Sequence, residues 1–224
     1  RRRAGSEYLA AYRWLEFPMD WHQEFAVACH AKGMQYGCST YLPHDVATVH
    51  PFIDFHKLSS FEVLDRAMLD AHEDAGGRLI ISTGMLDETQ VASLDGWRRR
   101  GRNVSRRVDL LHCTSAYPAP LEALNLRVLS QAWCDGLSDH SRQVQAGGWA
   151  VREGATVLEA HLRLDDCRPT NPDYATALTP AEFAAYVQRA MTPTSTVPEL
   201  AYGDGRKRPQ PAEQAMRRYR VGAT

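Results

Sequence analysis

The chain holds 224 residues with 26 basic and 27 acidic side chains, a formal net charge of −1 at pH 7. That length suits one large domain with its own core, and the balanced charge argues against a dedicated nucleic-acid or membrane-surface protein. No apolar run is long enough to span a bilayer and no signal peptide is visible, while Cys29, Cys38, Cys113, Cys134 and Cys167, odd in number and without a CxxC pair, suit reduced thiols in a cytoplasmic protein.

In chain order, Arg1 to Phe17 has helical spacing of Tyr8, Tyr12 and Leu15. Pro18 opens a second helix, in which Trp21, Phe25, Ala28 and Cys29 form an expected core stripe and Gly33 ends the helix. Met34 to Thr40 is expected as a strand, Asp45 to Val49 as a short helix, and Phe52 to Ser60 as a strand carrying Lys57. Phe61 to Ala75 is expected to be helical and to stop at Gly76-Gly77. The β-branched run Arg78 to Thr83 suits a buried parallel strand, and Asp87 starts the next helix. That helix runs into Arg98-Arg99-Arg100, an anion-binding patch on one reading and a solvated helix end on the plainer one.

Val108 to Ser115 is the next expected strand, followed by a helix near Leu124 to Ala132. Two further strands end at His140 and His161, joined by a helix from Ser141 to Glu153. Thr179-Pro180-Ala181-Glu182 is a capping box opening a helix to Met191, and a loop and a short basic helix finish the chain.

The 21 positions between His140 and His161 match one strand–helix–strand step, which sets two parallel strand ends side by side. Side chains share a strand face every second residue, so Ser138 joins His140 and Glu159 joins His161. Imidazoles with oxygen ligands suit a divalent ion such as Mn²⁺, Mg²⁺ or Zn²⁺. The alternative is one buried and one surface histidine. Lysine is scarce, with only Lys32, Lys57 and Lys207, so Lys57 near a strand end stands out. His112 reads as a packed strand histidine. Strands ending near Thr40, Ser60, Thr83, Ser115, His140 and His161 all finish in polar residues, and such convergence implies an α/β fold of (β/α)₈ TIM-barrel type.

These strand ends together resemble the N-acetylneuraminate (sialic acid) synthase family. The matching stretches are Gly37-Cys38-Ser39-Thr40, His56-Lys57-Leu58-Ser59-Ser60, Ile81-Ser82-Thr83-Gly84-Met85, Leu111 to Pro118, Gly136-Leu137-Ser138-Asp139-His140, Leu158-Glu159-Ala160-His161 and Pro172-Asp173, in the family's order over roughly residues 8 to 219. Any one of them is weak; the ordered set is strong. The resemblance implies a single barrel domain over residues 1–224, with six strand–helix units visible and the family's first two expected before Arg1, and without the family's antifreeze-like carboxy-terminal domain.

It further implies a cytoplasmic, homodimeric, divalent-metal-dependent enzyme using Mn²⁺ or Mg²⁺. Such an enzyme condenses phosphoenolpyruvate with an open-chain N-acylated amino sugar, or another aldose or aldehyde acceptor, giving a 2-keto acid and phosphate. Carried over by position, His140 and His161 would ligate the metal. Lys57, Ser60 and Ser138 would hold the phosphate and carboxylate of phosphoenolpyruvate, and Thr40 and Ser115 would line that pocket. Tyr117 and Asp173 would face the sugar, and Glu159 would act as a base or orient His161. Tyr41-Leu42 replaces the family's usual Pro-Phe and Ser115 its usual Asn, which leaves the acceptor open. A reading from another class is a non-catalytic barrel relative serving as a scaffold or subunit.

Overall fold

The computed structural model describes residues 16–101, 107–193 and 196–222. Among them, six short strands form one wholly parallel sheet in chain order: β1 (Gly37–Ser39), β2 (Phe55–Leu58), β3 (Arg78–Ser82), β4 (Val108–Cys113), β5 (Gly136–Asp139) and β6 (Val157–Ala160). Each expected strand is present, ending one to two residues before its predicted end. Among the described residues the parallel sheet has six of the eight strands that the expected barrel requires.

Alternation sorts the sheet's two faces. Leu58, Leu79, Ile81 and Leu110 point outward and pack on Val46, Met68, Leu69, Val91 and Leu94 of the covering helices. Those helices are α2 (Pro43–Val49), α3 (Arg66–Ala75) and α4 (Glu88–Arg100). Leu137 does the same in a second cluster with Ala146, Trp149 and Ala150 of α5 (Ala146–Arg152) and Tyr186 of α6 (Pro180–Met191). Burying each such leucine contributes about 1.5–3 kcal/mol. The intervening residues, Lys57, Ser82, Ser138 and Glu159, therefore face inward. Glu159 of β6 accepts from the Ser82 hydroxyl of β3 at 3.0 Å, so the sheet is curled. Gly136 permits the close β5–β6 contact: a Cβ there would lie 1.8 Å from the Val157 carbonyl oxygen.

Several local expectations hold for identifiable reasons. Asp87 and Gln90 form a reciprocal capping box, as do Thr179 and Glu182, and Gly76 and Gly77 end α3 with φ of 73° and 77°. Within the arginine run, Arg98 pairs with Asp95 and Asp135, and Arg99 with Asp95.

Others are corrected. Of the helix expected over Arg1 to Phe17, residues 1–15 lie outside the described residues, and Phe17 is not helical. The next helix, α1 (Trp21–Ala31), buries His22 and Ala26 rather than Trp21 and Phe25. His22 hydrogen-bonds Tyr36 at 2.9 Å and stacks on Phe52, which turns the aromatic stripe outward, where Trp21 and Phe25 gather around Phe17. α3 begins at Arg66 because the Asp65 carboxylate caps it by accepting from the Ala67 N–H. The helix expected near Leu124 to Ala132 is instead two 3-10 turns, divided by Asn125 at φ 46°. Its side chain is occupied by the backbone of Gly205 and Arg206. The helix expected from Ser141 begins only at Ala146.

Candidate active site

The inward residues converge at the carboxyl ends of the strands, around a cavity of about 340 Å³. In parallel α/β folds this end of the sheet is where loops and free strand termini present functional groups. Lys57 and Ser60 reach it from β2 and its loop, Ser138 and His140 from β5, Glu159 and His161 from β6. Tyr117 enters from the loop after β4 and Asp173 from the loop after β6.

Lys57, buried at 8% exposure, is the fixed cation of the cavity. Its ammonium donates to the Ser82 hydroxyl at 2.9 Å and the Leu58 carbonyl at 3.2 Å, and lies 3.4 Å from a Glu159 carboxylate oxygen. Burial alone would raise the Glu159 carboxyl, but Lys57, the hydroxyls of Ser138 and Ser82, and His140 outweigh it and hold the group below its ordinary pKa. Glu159 is thus ionised at neutral pH. Ser60 accepts the Gly84 N–H at 2.9 Å, and Gly84 fits because a Cβ would lie 2.1 Å from the Ser115 hydroxyl and 2.9 Å from that of Ser60.

The imidazoles of His140 and His161 lie 5.2 Å apart between centroids. Tyr117 stacks on His140 at 4.3 Å and meets His161 edge-on at 5.9 Å. His140 Nδ1 is 2.9 Å from the Thr114 carbonyl. A carbonyl only accepts, so Nδ1 carries a hydrogen and Nε2 is the nitrogen open to a proton or a metal ion. His161 Nδ1 faces the Asp173 carboxylate at 3.4 Å, which assigns the same tautomer; this contact, more than other effects, lowers the Asp173 pKa. Burial disfavours charge on His140, yet the Cys113 sulfur, the Thr114 carbonyl and Glu159 raise its pKa to about 9, so without a metal ion the surroundings favour a proton on Nε2, the position a metal would take.

The pair offers a divalent cation two nitrogen ligands. Two imidazoles each have Nδ1 tied to an oxygen acceptor, the outer partnership that orients metal-binding histidines. Among the described residues no group of three or more His, Cys, Asp or Glu side chains could hold a metal ion, so the site offers two protein ligands. An ion here would take its remaining ligands from water or substrate, as a catalytic rather than a structural site requires.

Two candidates stand elsewhere. Thr40 is buried with its hydroxyl 3.5 Å from His72 Nε2, behind the sheet, while Ser39, one residue earlier, lines the cavity. Ser115 is wholly buried, its hydroxyl 3.9 Å from Cys113 and its N–H bound to Glu213. The position of Thr40 follows from the one-residue alternation of strand faces, whereas Ser115 has the inward parity of Cys113 and Ser138 and is packed under Gly84 rather than turned away. Ser82 was missed although the same alternation places it inward; Met216 and Tyr219 also line the cavity, and nothing in their sequence spacing announced it. His112 is the packed strand histidine expected, with Nε2 2.8 Å from the Leu124 carbonyl. Asp173, not Glu159, is the carboxylate that partners His161.

Known proteins resemble this chain in sequence and in fold. The chain is 35% identical over 147 residues to N,N'-diacetyllegionaminic acid synthase of Legionella pneumophila, covering 62% of this chain and 39% of that protein. It is 29% identical over 221 residues to human N-acetylneuraminate-9-phosphate synthase, covering 94% of this chain and 58% of the relative. The chain thus spans between about two fifths and three fifths of these relatives' lengths. Among solved structures, the spore coat polysaccharide biosynthesis protein SpsE of Bacillus subtilis superposes with a TM-score of 0.79 at 24% identity, over 90% of this chain and 60% of that one. The sialic acid synthetase of Leptospira borgpetersenii, in complex with citrate, gives 0.75 at 21%, over 96% and 75%. At those identities the superpositions speak for the fold alone. The sequence itself goes further: the NeuB family profile matches residues 1–202, which takes in all six strand ends, and the chain belongs to the NeuB family.

Proposed function

We propose that this chain forms the catalytic face of an enzyme that condenses phosphoenolpyruvate with the open-chain aldehyde of an N-acylated amino sugar. The products are a 2-keto acid extended by three carbons and inorganic phosphate. The observation that carries the reading is the shared cavity of Lys57, Ser82 and Glu159 with the paired imidazoles of His140 and His161.

Phosphoenolpyruvate is highly anionic and needs a fixed cation in a shielded place. Lys57 supplies one, and the hydroxyls of Ser60, Ser82 and Ser138 offer hydrogen bonds to phosphate and carboxylate oxygens. A divalent ion on His140 and His161, Mn²⁺ or Mg²⁺, would polarise the acceptor's carbonyl oxygen as a Lewis acid. Tyr117, packed on both rings, fixes their orientation and presents an aromatic wall to the acceptor. Asp173 holds the His161 tautomer and reaches the same wall.

The enol carbon of phosphoenolpyruvate attacks the aldehyde carbon, leaving a cationic centre at C2. Water adds there, the ionised Glu159 carboxylate takes its proton, and that proton passes to the alkoxide formed on the former aldehyde oxygen. The tetrahedral adduct then expels phosphate with cleavage of its C–O bond, giving the keto group. The relatives named for legionaminic acid and N-acetylneuraminate-9-phosphate synthesis support this reaction class. Five free thiols agree with a reducing, cytoplasmic setting.

The test is phosphate release from phosphoenolpyruvate with Mn²⁺ and a panel of N-acylated aldoses, with the product's mass determined. Turnover with at least one acceptor is expected. No release with any of them would sink the enzymatic reading in favour of a scaffold.

A further inference from the structure

Residues 205–221 form a strap across the carboxyl ends of β2, β3 and β4. It is pinned at one end by Asn125, whose side chain accepts from the Gly205 N–H and donates to the Arg206 carbonyl, both at 2.9 Å. At the other end Arg220 donates to the Met85 carbonyl at 2.8 Å and the Val221 N–H to the Phe61 carbonyl at 2.7 Å. Buried Lys207 donates to the Cys113 carbonyl at 3.1 Å. Met216 and Tyr219 of the strap are part of the cavity wall.

At its centre is Glu213, 1% exposed. One carboxylate oxygen accepts the N–H groups of Met85 at 2.8 Å and Ser115 at 2.7 Å; the other accepts the Gln210 N–H at 2.8 Å. Burying a carboxylate is costly unless its lone pairs are filled, and three amides fill them here. The Gln210 contact is a local capping box that needs no burial. Met85 and Ser115 are 128 and 98 residues away in sequence.

Both remote amides sit directly behind the cavity. Met85 follows Gly84, whose N–H holds the Ser60 hydroxyl. It is also a non-glycine residue at φ 63°, a conformation costing roughly 1–2 kcal/mol that outside contacts must sustain. Ser115 lies two residues before Tyr117, which covers the two imidazoles.

We infer that Glu213 is a positioning residue for the phosphoenolpyruvate half of the site, setting the β3 and β4 loops through their backbone amides from a strap that also closes the cavity. This rests on the reaction proposed above. Glu213 touches no substrate itself: it fixes Gly84 and hence Ser60, and it fixes Ser115 and hence the approach to Tyr117.

The experiment measures phosphoenolpyruvate binding by calorimetry and amide exchange at Met85 and Ser115, in the wild-type protein and three variants. In Glu213→Ala both amides exchange faster and the Kd for phosphoenolpyruvate rises about tenfold or more, as expected when a binding loop is misplaced by an ångström. Glu213→Gln keeps an acceptor oxygen between the two amides and stays within about threefold of wild type. Glu213→Asp, one methylene shorter, falls between them. A purely structural residue would lower Tm while leaving the Kd of the folded protein alone. Wild-type affinity in a folded alanine variant overturns the inference; if that variant does not fold, equal affinities for the Asp and Gln variants overturn it. A wild-type protein that binds no phosphoenolpyruvate overturns the proposed function, and this inference with it.

Discussion

Lys57 and Glu159 meet at 3.4 Å although their strands stand four places apart in the sheet. In a flat sheet at about 4.8 Å per strand they would be roughly 19 Å apart. The pair is therefore possible only because the sheet curls, and it is the point where fold becomes chemistry. The cation that would hold an anionic substrate also keeps the proposed base ionised.

From this pair comes the first prediction. Lys57→Met should lower kcat/KM by about 10²–10³-fold or more, mainly through phosphoenolpyruvate, since a preorganised charge is lost from a shielded site. Glu159→Gln should lower kcat by about 10²-fold with a smaller effect on KM. Because Glu159 is held below its ordinary pKa, it is already ionised across neutral pH, so the factor lost in Glu159→Gln should be constant between about pH 6 and 8. Steady-state kinetics across that range check it; a factor that grows with pH would assign the base elsewhere.

The second prediction concerns the imidazoles. Chelation should abolish turnover and Mn²⁺ should restore it in the wild type, but not in His140→Ala or His161→Ala. Asp173→Asn keeps the ring in place but weakens the acceptor on His161 Nδ1, and metal affinity should fall by about 10–100-fold. Isothermal titration with Mn²⁺ reads this directly. Unchanged affinity in both histidine variants would remove the metal from the site.

What the sequence made legible was whatever depends on alternation and short-range signals. The parity that put Ser138 with His140 and Glu159 with His161 on one face is local, and so is the Asp87–Gln90 capping box. Thr40 lies off the cavity because alternation turns Ser39 inward in its place, while Ser115 has inward parity but is packed under Gly84; Ser82 is the further residue that alternation turns inward. The strap was invisible. Glu213 meets Met85 and Ser115 across about a hundred residues, and neither amide carries any side-chain signature of that contact. The aromatic stripe of α1 misled periodicity, because the inward contacts of His22, a part-buried hydrogen bond with Tyr36 and a stack on Phe52, set the helix's roll instead.

A third prediction tests the backbone behind the anion site. Gly84→Ala places a methyl group 2.1 Å from the Ser115 hydroxyl and 2.9 Å from that of Ser60. Overpacking of this kind costs about 1–3 kcal/mol. The KM for phosphoenolpyruvate should rise while that for the acceptor changes little. Pairing the substitution with Ser115→Ala, which removes the nearer clash, should recover part of the loss; no recovery would mean that the backbone itself, not the hydroxyl, resists the methyl group.

The last prediction is about acid. His56 and His112 are buried and held neutral: burial, with His72 and His50 nearby, lowers His56 to about 4, and burial together with Lys207 lowers His112 to about 3. In the unfolded chain both titrate near 6.5. Below that pH the unfolded state binds protons that the folded state refuses, so stability is full above 6.5 and is lost as pH falls toward 4 and 3. Each histidine contributes a loss of about 2 kcal/mol between pH 7 and 5. Urea denaturation at pH 7, 6 and 5 should show this decline. His112→Gln, whose amide can still donate to the Leu124 carbonyl, should reduce the decline by about one histidine's share while the Lys57 site is untouched. An identical pH dependence in wild type and variant would mean that His112 is protonated in the folded protein, against the direction that burial and Lys207 both impose.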